Sequence, residues 1–127
     1  PLNLILLEDQ ELIADFLKTI LENKGHRIKV FGHGGELADA LGVTLDPAAI
    51  DVYLLDVCVP GRSGLEVGLK ARDIDPESRI VFYSAIHNES DIKELVILDE
   101  KTKFIKKPFK INELLEIVEQ VMQARIS

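Results

Sequence analysis

The sequence predicts an α/β fold, a three-layer doubly wound (βα)5 sandwich built on a five-stranded parallel sheet. Two observations lead there. Five short apolar runs, at residues 2–7, 28–31, 52–56, 80–83 and 103–105, recur at intervals of roughly 25 residues. Between them lie stretches whose apolar residues repeat at helical spacing. Strict alternation of strand and helix implies parallel strands joined by right-handed crossovers, with helices on both faces of the sheet. With 127 residues the chain suffices for one core, so residues 1–127 read as a single domain.

The elements follow in order. Residues 2–7 (LNLILL) form the first strand and stop at Glu8, Asp9, Gln10 and Glu11. Leu12, Ile13, Phe16, Leu17, Ile20 and Leu21 then recur as on a helix that ends near Asn23-Lys24-Gly25, a usual C-terminal stop. Ile28, Val30 and Phe31 make a short second strand, residues 32–35 a glycine-rich turn, residues 36–41 a short helix, and residues 42–49 a loop. Residues 52–56 are the third strand, apolar enough to be buried on both faces. The Ser63-x-x-Glu66 spacing is a capping box that opens a helix from Gly64 to about Asp73, and Asp75-Pro76-Glu77-Ser78 breaks it. Residues 80–83 (IVFY) are β-branched and aromatic, a fourth strand ending on Ser84-Ala85. Asn88 and Asp91 can start a fourth helix carrying Ile92, Leu95 and Val96, with Ile97 and Leu98 extending beyond one face. Lys103–Ile105 gives the fifth strand as residues 103–105, followed by Lys106-Lys107-Pro108-Phe109. A last helix carries Ile111, Leu114, Leu115, Val118, Val121 and Met122 on one stripe.

Composition narrows the function. Apolar residues make up 46% and charged residues 29%, as in an ordinary globular protein, and the formal charge is -7 with a pI near 4.9. That balance argues against nucleic-acid or anionic-membrane binding and suits a divalent cation or a basic protein partner. Cys58 is the only cysteine, which rules out an internal disulfide and a structural zinc cluster. It reads as a small apolar filler rather than a reactive thiol. His26, His33 and His87 are scattered and read as surface residues. Lys101, Lys103, Lys106 and Lys110 read as a solvated basic edge. No apolar run reaches membrane-spanning length and no signal peptide is recognisable, so a cytoplasmic protein is the default.

The polar residues that end the strands carry the chemistry. In the flavodoxin-like order 2-1-3-4-5, usual for five such units, all the carboxyl ends face one edge, where ligands bind in open α/β sheets. Glu8, Asp9, Asp56, Ser84 and Lys107 all lie there. Alone, Asp56 reads equally well as a turn cap. Adjacent strands are about 4.8 Å apart, which sets Glu8/Asp9 and Ser84 on either side of Asp56. Lys107 starts roughly 10 Å away, a gap that a long lysine stem can bridge. Three crowded carboxylates repel one another by ~4 kcal/mol per close pair at an effective dielectric of 20. A cation among them resolves the conflict, and all-oxygen ligation favours Mg²⁺ or Mn²⁺. Metal, ammonium and hydroxyl around a free carboxylate gather phosphoryl oxygens, with Asp56 as the nucleophile.

These residues resemble a response-regulator receiver domain over the whole chain. Glu8-Asp9 matches that family's acidic pair after strand one. Asp56-Val57-Cys58-Val59-Pro60-Gly61-Arg62-Ser63-Gly64 resembles its phosphoacceptor loop, with Val59 where the family often has Met. Ser84-Ala85 matches the hydroxyl residue and its small follower, and Lys107-Pro108-Phe109 the Lys-Pro-Phe that closes strand five, whose Lys-Pro bond is cis in the family. The resemblance implies a phosphorylation switch of two-component signalling rather than an enzyme beyond its own phosphotransfer and self-dephosphorylation. Asp56 would take a phosphoryl group from a sensor histidine kinase or phosphotransfer protein. Mg²⁺ would be held by Asp9, Asp56 and the Cys58 carbonyl, with Glu8 acting through a bound water. Ser84 would then turn toward the phosphoryl group and Phe104 would rotate inward, coupling the event to the face of the fourth helix, fifth strand and last helix. A dimer on phosphorylation fits the same pattern.

Two departures bear on this. Asp99-Glu100-Lys101-Thr102 stands where the family often carries Gly-Ala. The positions two past Asp56 and Ser84, Cys58 and Ile86, do not readily orient an attacking water, which predicts slow self-dephosphorylation. An aspartate-phosphorylating hydrolase or a metal site of the Asp-x-Asp kind would want a carboxylate where Cys58 stands. Flavin binding would want a Ser/Thr-rich loop where Glu8–Glu11 would repel a phosphate. The alternative that keeps the fold is a pseudo-receiver, an interaction module without phosphorylation. Within residues 1–127 no DNA-binding or catalytic domain follows the last helix, so the chain reads as a free-standing receiver or one taken from a longer protein.

Overall fold

The computed structural model describes residues 1–85 and 100–123. Five strands, β1 (Asn3–Leu7), β2 (Arg27–Phe31), β3 (Val52–Asp56), β4 (Ile80–Ser84) and β5 (Thr102–Lys106), form one parallel sheet in the order β2-β1-β3-β4-β5. The helices are α1 (Glu11–Asn23), α2 (Gly34–Ala40), α3 (Gly64–Ile74) and α4 (Ile111–Gln123), with a 3-10 turn at Pro47–Ala49. The expected three-layer doubly wound architecture and strand order are therefore present. The fourth helix expected from Asn88 onward, with Ile97 and Leu98, lies outside the described residues.

The strands alternate their side chains between two cores, which is why their sequences read as continuous apolar runs. Ile5, Leu7, Tyr53, Leu55, Ile80 and Phe82 face one way, onto a cluster completed by α2 and α3. Leu4, Leu6, Val52, Leu54, Val81 and Tyr83 face the other way, against Ala14, Leu17 and Leu21 of α1 and Leu114, Val118 and Val121 of α4. Every residue of β3 and β4 is buried.

Helix boundaries follow their caps. Ser63 Oγ accepts a hydrogen bond from Glu66 N–H at 3.2 Å, which starts α3 where the capping box predicts. The second helix begins at Gly34, two residues earlier than the composition suggests, because the His33 ring nitrogen Nδ1 accepts from Gly35 N–H at 3.0 Å. His26 likewise holds structure together, since its Nδ1 accepts from Leu2 N–H at 3.2 Å and ties the start of β2 to the start of the chain. Neither histidine is the idle surface residue expected; His87 lies outside the described residues. Two of the six apolar residues of α1 also depart from the core stripe, since Leu12 is 86% and Phe16 60% exposed. At 100° per residue they lie about 140° and 100° around the helix from buried Leu17, so helical spacing alone over-counts the packed face.

Candidate functional site at the carboxyl edge of the sheet

The ends of β1, β3, β4 and β5 converge at one edge. Leu7 pairs with Leu55 and Asp56 with Tyr83, so Glu8 emerges beside Asp56 and Ser84 one residue past their level. Ser84 pairs with Lys106, and Lys107 N–H donates to the Ser84 carbonyl at 2.8 Å, which aims the Lys107 side chain over the sheet edge. The Lys107–Pro108 peptide is cis. Below Asp56 the chain turns directly into α3. A Cβ at Gly64 would stand 2.2 Å from the Asp56 carbonyl oxygen, so only glycine lets the helix start this close. Gly61, at φ +81°, makes the preceding turn.

The side chains meet as follows. Asp56 is 4% exposed; its Oδ1 accepts from Cys58 N–H at 3.0 Å and its Oδ2 from Lys107 Nζ at 2.9 Å. Glu8 is also buried. Its Oε2 accepts from Gln10 N–H at 3.1 Å, and its Oε1 from Lys107 Nζ at 3.3 Å and from the Tyr83 hydroxyl at 3.2 Å. Asp9 is exposed at the mouth of the site. One ligand oxygen from each of Glu8, Asp9 and Asp56 can be chosen so that all lie within 4.8 Å of one another. An all-carboxylate set of this size, partly open to solvent, fits Mg²⁺ or Mn²⁺ with waters completing the shell.

Electrostatics match the crowding. Burial pushes the Glu8 carboxyl up, and the Asp56 charge adds to that, while the Gln10 amide and Lys107 only partly oppose it. Burial pulls Lys107 down, but its hydrogen bond to Asp56 and the charges of Asp56 and Glu8 outweigh this and hold it above the ordinary lysine value. The ammonium is thus a fixed cation facing two of the three acids.

The other candidate residues are also located. The Ser84 side chain is fully buried, and its Oγ stands 3.8 Å from Cys58 Sγ. Cys58 itself is exposed, so it is not the apolar filler its composition suggests. Phe104 is half-buried against the core, paired with Phe82. Ile86 lies outside the described residues. Of the four basic-edge lysines, Lys106 and Lys110 are exposed, whereas Lys101 Nζ pairs with Glu77 at 3.6 Å. Sequence reasoning passed over Tyr83, which touches both Glu8 and Lys107. A tyrosine in a fully buried strand favours a partner for its hydroxyl, but which partner follows only from the strand register. An acid-lined groove of about 510 Å³ opens beside the cluster, bounded by Glu8, Asp9, Glu11, Asp15 and Gly32.

Comparison with known proteins agrees with this architecture. The family described as response regulator receiver domain matches residues 4–119. An uncharacterized transcriptional regulatory protein of Bacillus subtilis, YkoG, is 32% identical over 114 residues, covering 89% of this chain and 47% of that protein. The chain spans about half the length of the first curated relatives it matches. Among solved structures, a response regulator receiver protein of Sinorhizobium medicae superposes with a TM-score of 0.86 at 23% identity, covering 98% of this chain and 96% of that one. The Thermotoga maritima response regulator TrrA, solved in complex with Mg²⁺ and BeF, superposes with a TM-score of 0.77 at 24% identity over 95% of this chain and 99% of that one. With the family match running across both cores and all five strands, this chain belongs to the response regulator receiver family.

Proposed function

We propose that the chain is a phosphorylation-dependent switch whose phosphoacceptor is Asp56, acting as a single receiver domain over residues 1–127 in the cytoplasm. The observation that carries this is the Lys107 Nζ–Asp56 Oδ2 contact of 2.9 Å inside a cluster of three acids. An aspartate needed only as a turn cap has no use for an ammonium at hydrogen-bond distance and two neighbouring carboxylates. Glu8, Asp9, Asp56 and the Cys58 carbonyl would hold the Mg²⁺, Glu8 through a bound water. When bound, the ion offsets the charge of the acids and of the incoming phosphoryl oxygens.

The donor is a phosphohistidine of a sensor kinase or phosphotransfer protein. An Asp56 carboxylate oxygen attacks phosphorus, the P–N bond breaks, and the imidazole leaves with the electron pair and takes up a proton. Lys107 exchanges its contact with Asp56 for one with a phosphoryl oxygen, and Ser84 turns its hydroxyl toward another. Phe104 moves into the space behind, and the β5–α4 surface, with the helix the sequence leads one to expect from Asn88, reports the change to an output partner or a second copy of the chain. The exposed Leu12 and Phe16 on α1, flanked by Glu11 and Asp15, give the donor an apolar foothold ringed by acid. A donor with basic residues around its histidine complements that ring.

The test is transfer of radiolabel from a phosphorylated histidine domain in Mg²⁺. Label reaching the wild-type chain but not Asp56→Ala, and then lost slowly, is the expected outcome. Transfer that survives Asp56→Ala would overturn the assignment. Rapid loss without a phosphatase would contradict the reading of Cys58 as unable to orient water.

A further inference from the structure

Tyr83 touches two of the charged residues of this site, and the phosphoacceptor reading does not use it. Its hydroxyl stands 3.2 Å from Glu8 Oε1 and 3.1 Å from the Leu7 carbonyl oxygen. One phenolic proton serves the two acceptors, and a carboxylate oxygen is a stronger acceptor than a peptide carbonyl. Both partners are acceptors, so the phenol is the donor in either contact. The face of the same ring carries Lys107 Nζ at 4.8 Å from its centroid. The ring also packs T-shaped with Phe109, 5.8 Å between centroids, next to the Lys107-Pro108 turn.

Glu8 Oε1 is therefore contested by two donors. Lys107 Nζ lies 3.3 Å from it but only 2.9 Å from Asp56 Oδ2. We propose that Tyr83 is a positioning residue which, by occupying Glu8 Oε1 and cradling the ammonium on its ring, keeps Lys107 turned toward Asp56. The inference rests on the phosphoacceptor reading for its consequence, but its geometric part is independent. Without the hydroxyl, Glu8 Oε1 has Lys107 as its one remaining side-chain donor among the described residues, and the ammonium is drawn away from the Asp56 carboxylate. Without the ring as well, the ammonium loses its cation–π platform.

The experiment compares wild type, Tyr83→Phe and Tyr83→Leu by two measurements well below the melting temperature. One is the rate of labelling by acetyl phosphate in Mg²⁺. The other is the Lys107 ammonium and ε-methylene NMR signal, assigned by its loss in Lys107→Arg. Tyr83→Phe is expected to slow labelling about three- to tenfold, the size of one hydrogen bond's net contribution, and to shift the ammonium signal. Tyr83→Leu is expected to slow it further and to abolish the upfield ring-current displacement of the ε-methylene protons. Labelling of Tyr83→Phe at the wild-type rate, or an unmoved ammonium signal, would overturn the inference. If the variants do not fold, wild type still decides, since ε-methylene protons without ring-current displacement contradict the contact. Failure of the wild-type chain to take any label sinks the phosphoacceptor reading instead, while the NMR comparison continues to judge Tyr83.

Discussion

Asp9 differs from its two acidic neighbours in having no burial to defend it: it is exposed, whereas Glu8 and Asp56 are buried and share Lys107. Its negative charge near two buried carboxylates is unfavourable until a cation arrives. Asp9→Asn is accordingly expected to melt higher than wild type in Mg²⁺-free buffer and to lose most of the Mg²⁺-dependent rise in melting temperature. The rise itself follows from a ligand that binds the native state alone. Calorimetry with and without Mg²⁺ checks both halves, and an Asp9→Asn chain that melts lower without Mg²⁺ would contradict the repulsion argument. The residue identities of this cluster were legible in the sequence because each one ends a strand. Tyr83 was not, because its value depends on register: only the pairing of Asp56 with Tyr83 reveals a phenol within reach of Glu8.

At the scale of elements, α3 lies close enough to β4 that Gly68 has no room for a side chain. A Cβ there would stand 2.6 Å from Phe82 Cζ, and Phe82 is fully buried. Gly68→Ala gains about 1 kcal/mol of helix propensity but overpacks the core, which typically costs about 1–3 kcal/mol. A net loss of stability is expected in denaturant titration; a stabilised variant would show that Phe82 yields freely. Helix α1 supports a different prediction. Replacing Leu12 and Phe16 by Gln removes largely exposed apolar surface, so stability should change by no more than about 0.5 kcal/mol per site. Phosphotransfer from a histidine domain should slow while labelling by acetyl phosphate stays unchanged. Equal slowing of both would move the effect from docking to chemistry. The helices were legible from spacing, but which side of α1 packs was not, because six apolar residues cover more arc than the sheet covers. The start of α2 was hidden for another reason: its cap is a histidine, outside the usual capping set.

Across the whole molecule, the alternation of strand and helix was enough to give the architecture, since a sheet buried on both faces leaves little freedom in which runs can be strands. What sequence could not give is the opposed response of His26 and Glu8 to pH. Desolvation holds His26 below its ordinary 6.5, so protonation favours the unfolded chain. Its contribution to stability is complete above 6.5 and is lost as pH falls through the depressed folded value. Glu8, raised above 4.5, slopes the other way: its contribution is complete below 4.5 and is lost as pH rises. The difference in melting temperature between wild type and His26→Gln cancels the Glu8 part. That difference should narrow as the solution is acidified below pH 6.5, and a constant gap would contradict the role given to His26. The most direct test of the central claim is the intact mass of the chain after incubation with acetyl phosphate and Mg²⁺, followed by mapping of the adduct. A single phosphoryl adduct on Asp56, absent without Mg²⁺ and absent in Asp56→Ala, is the predicted result; an unmodified wild-type chain, or an adduct that persists in Asp56→Ala, would contradict it.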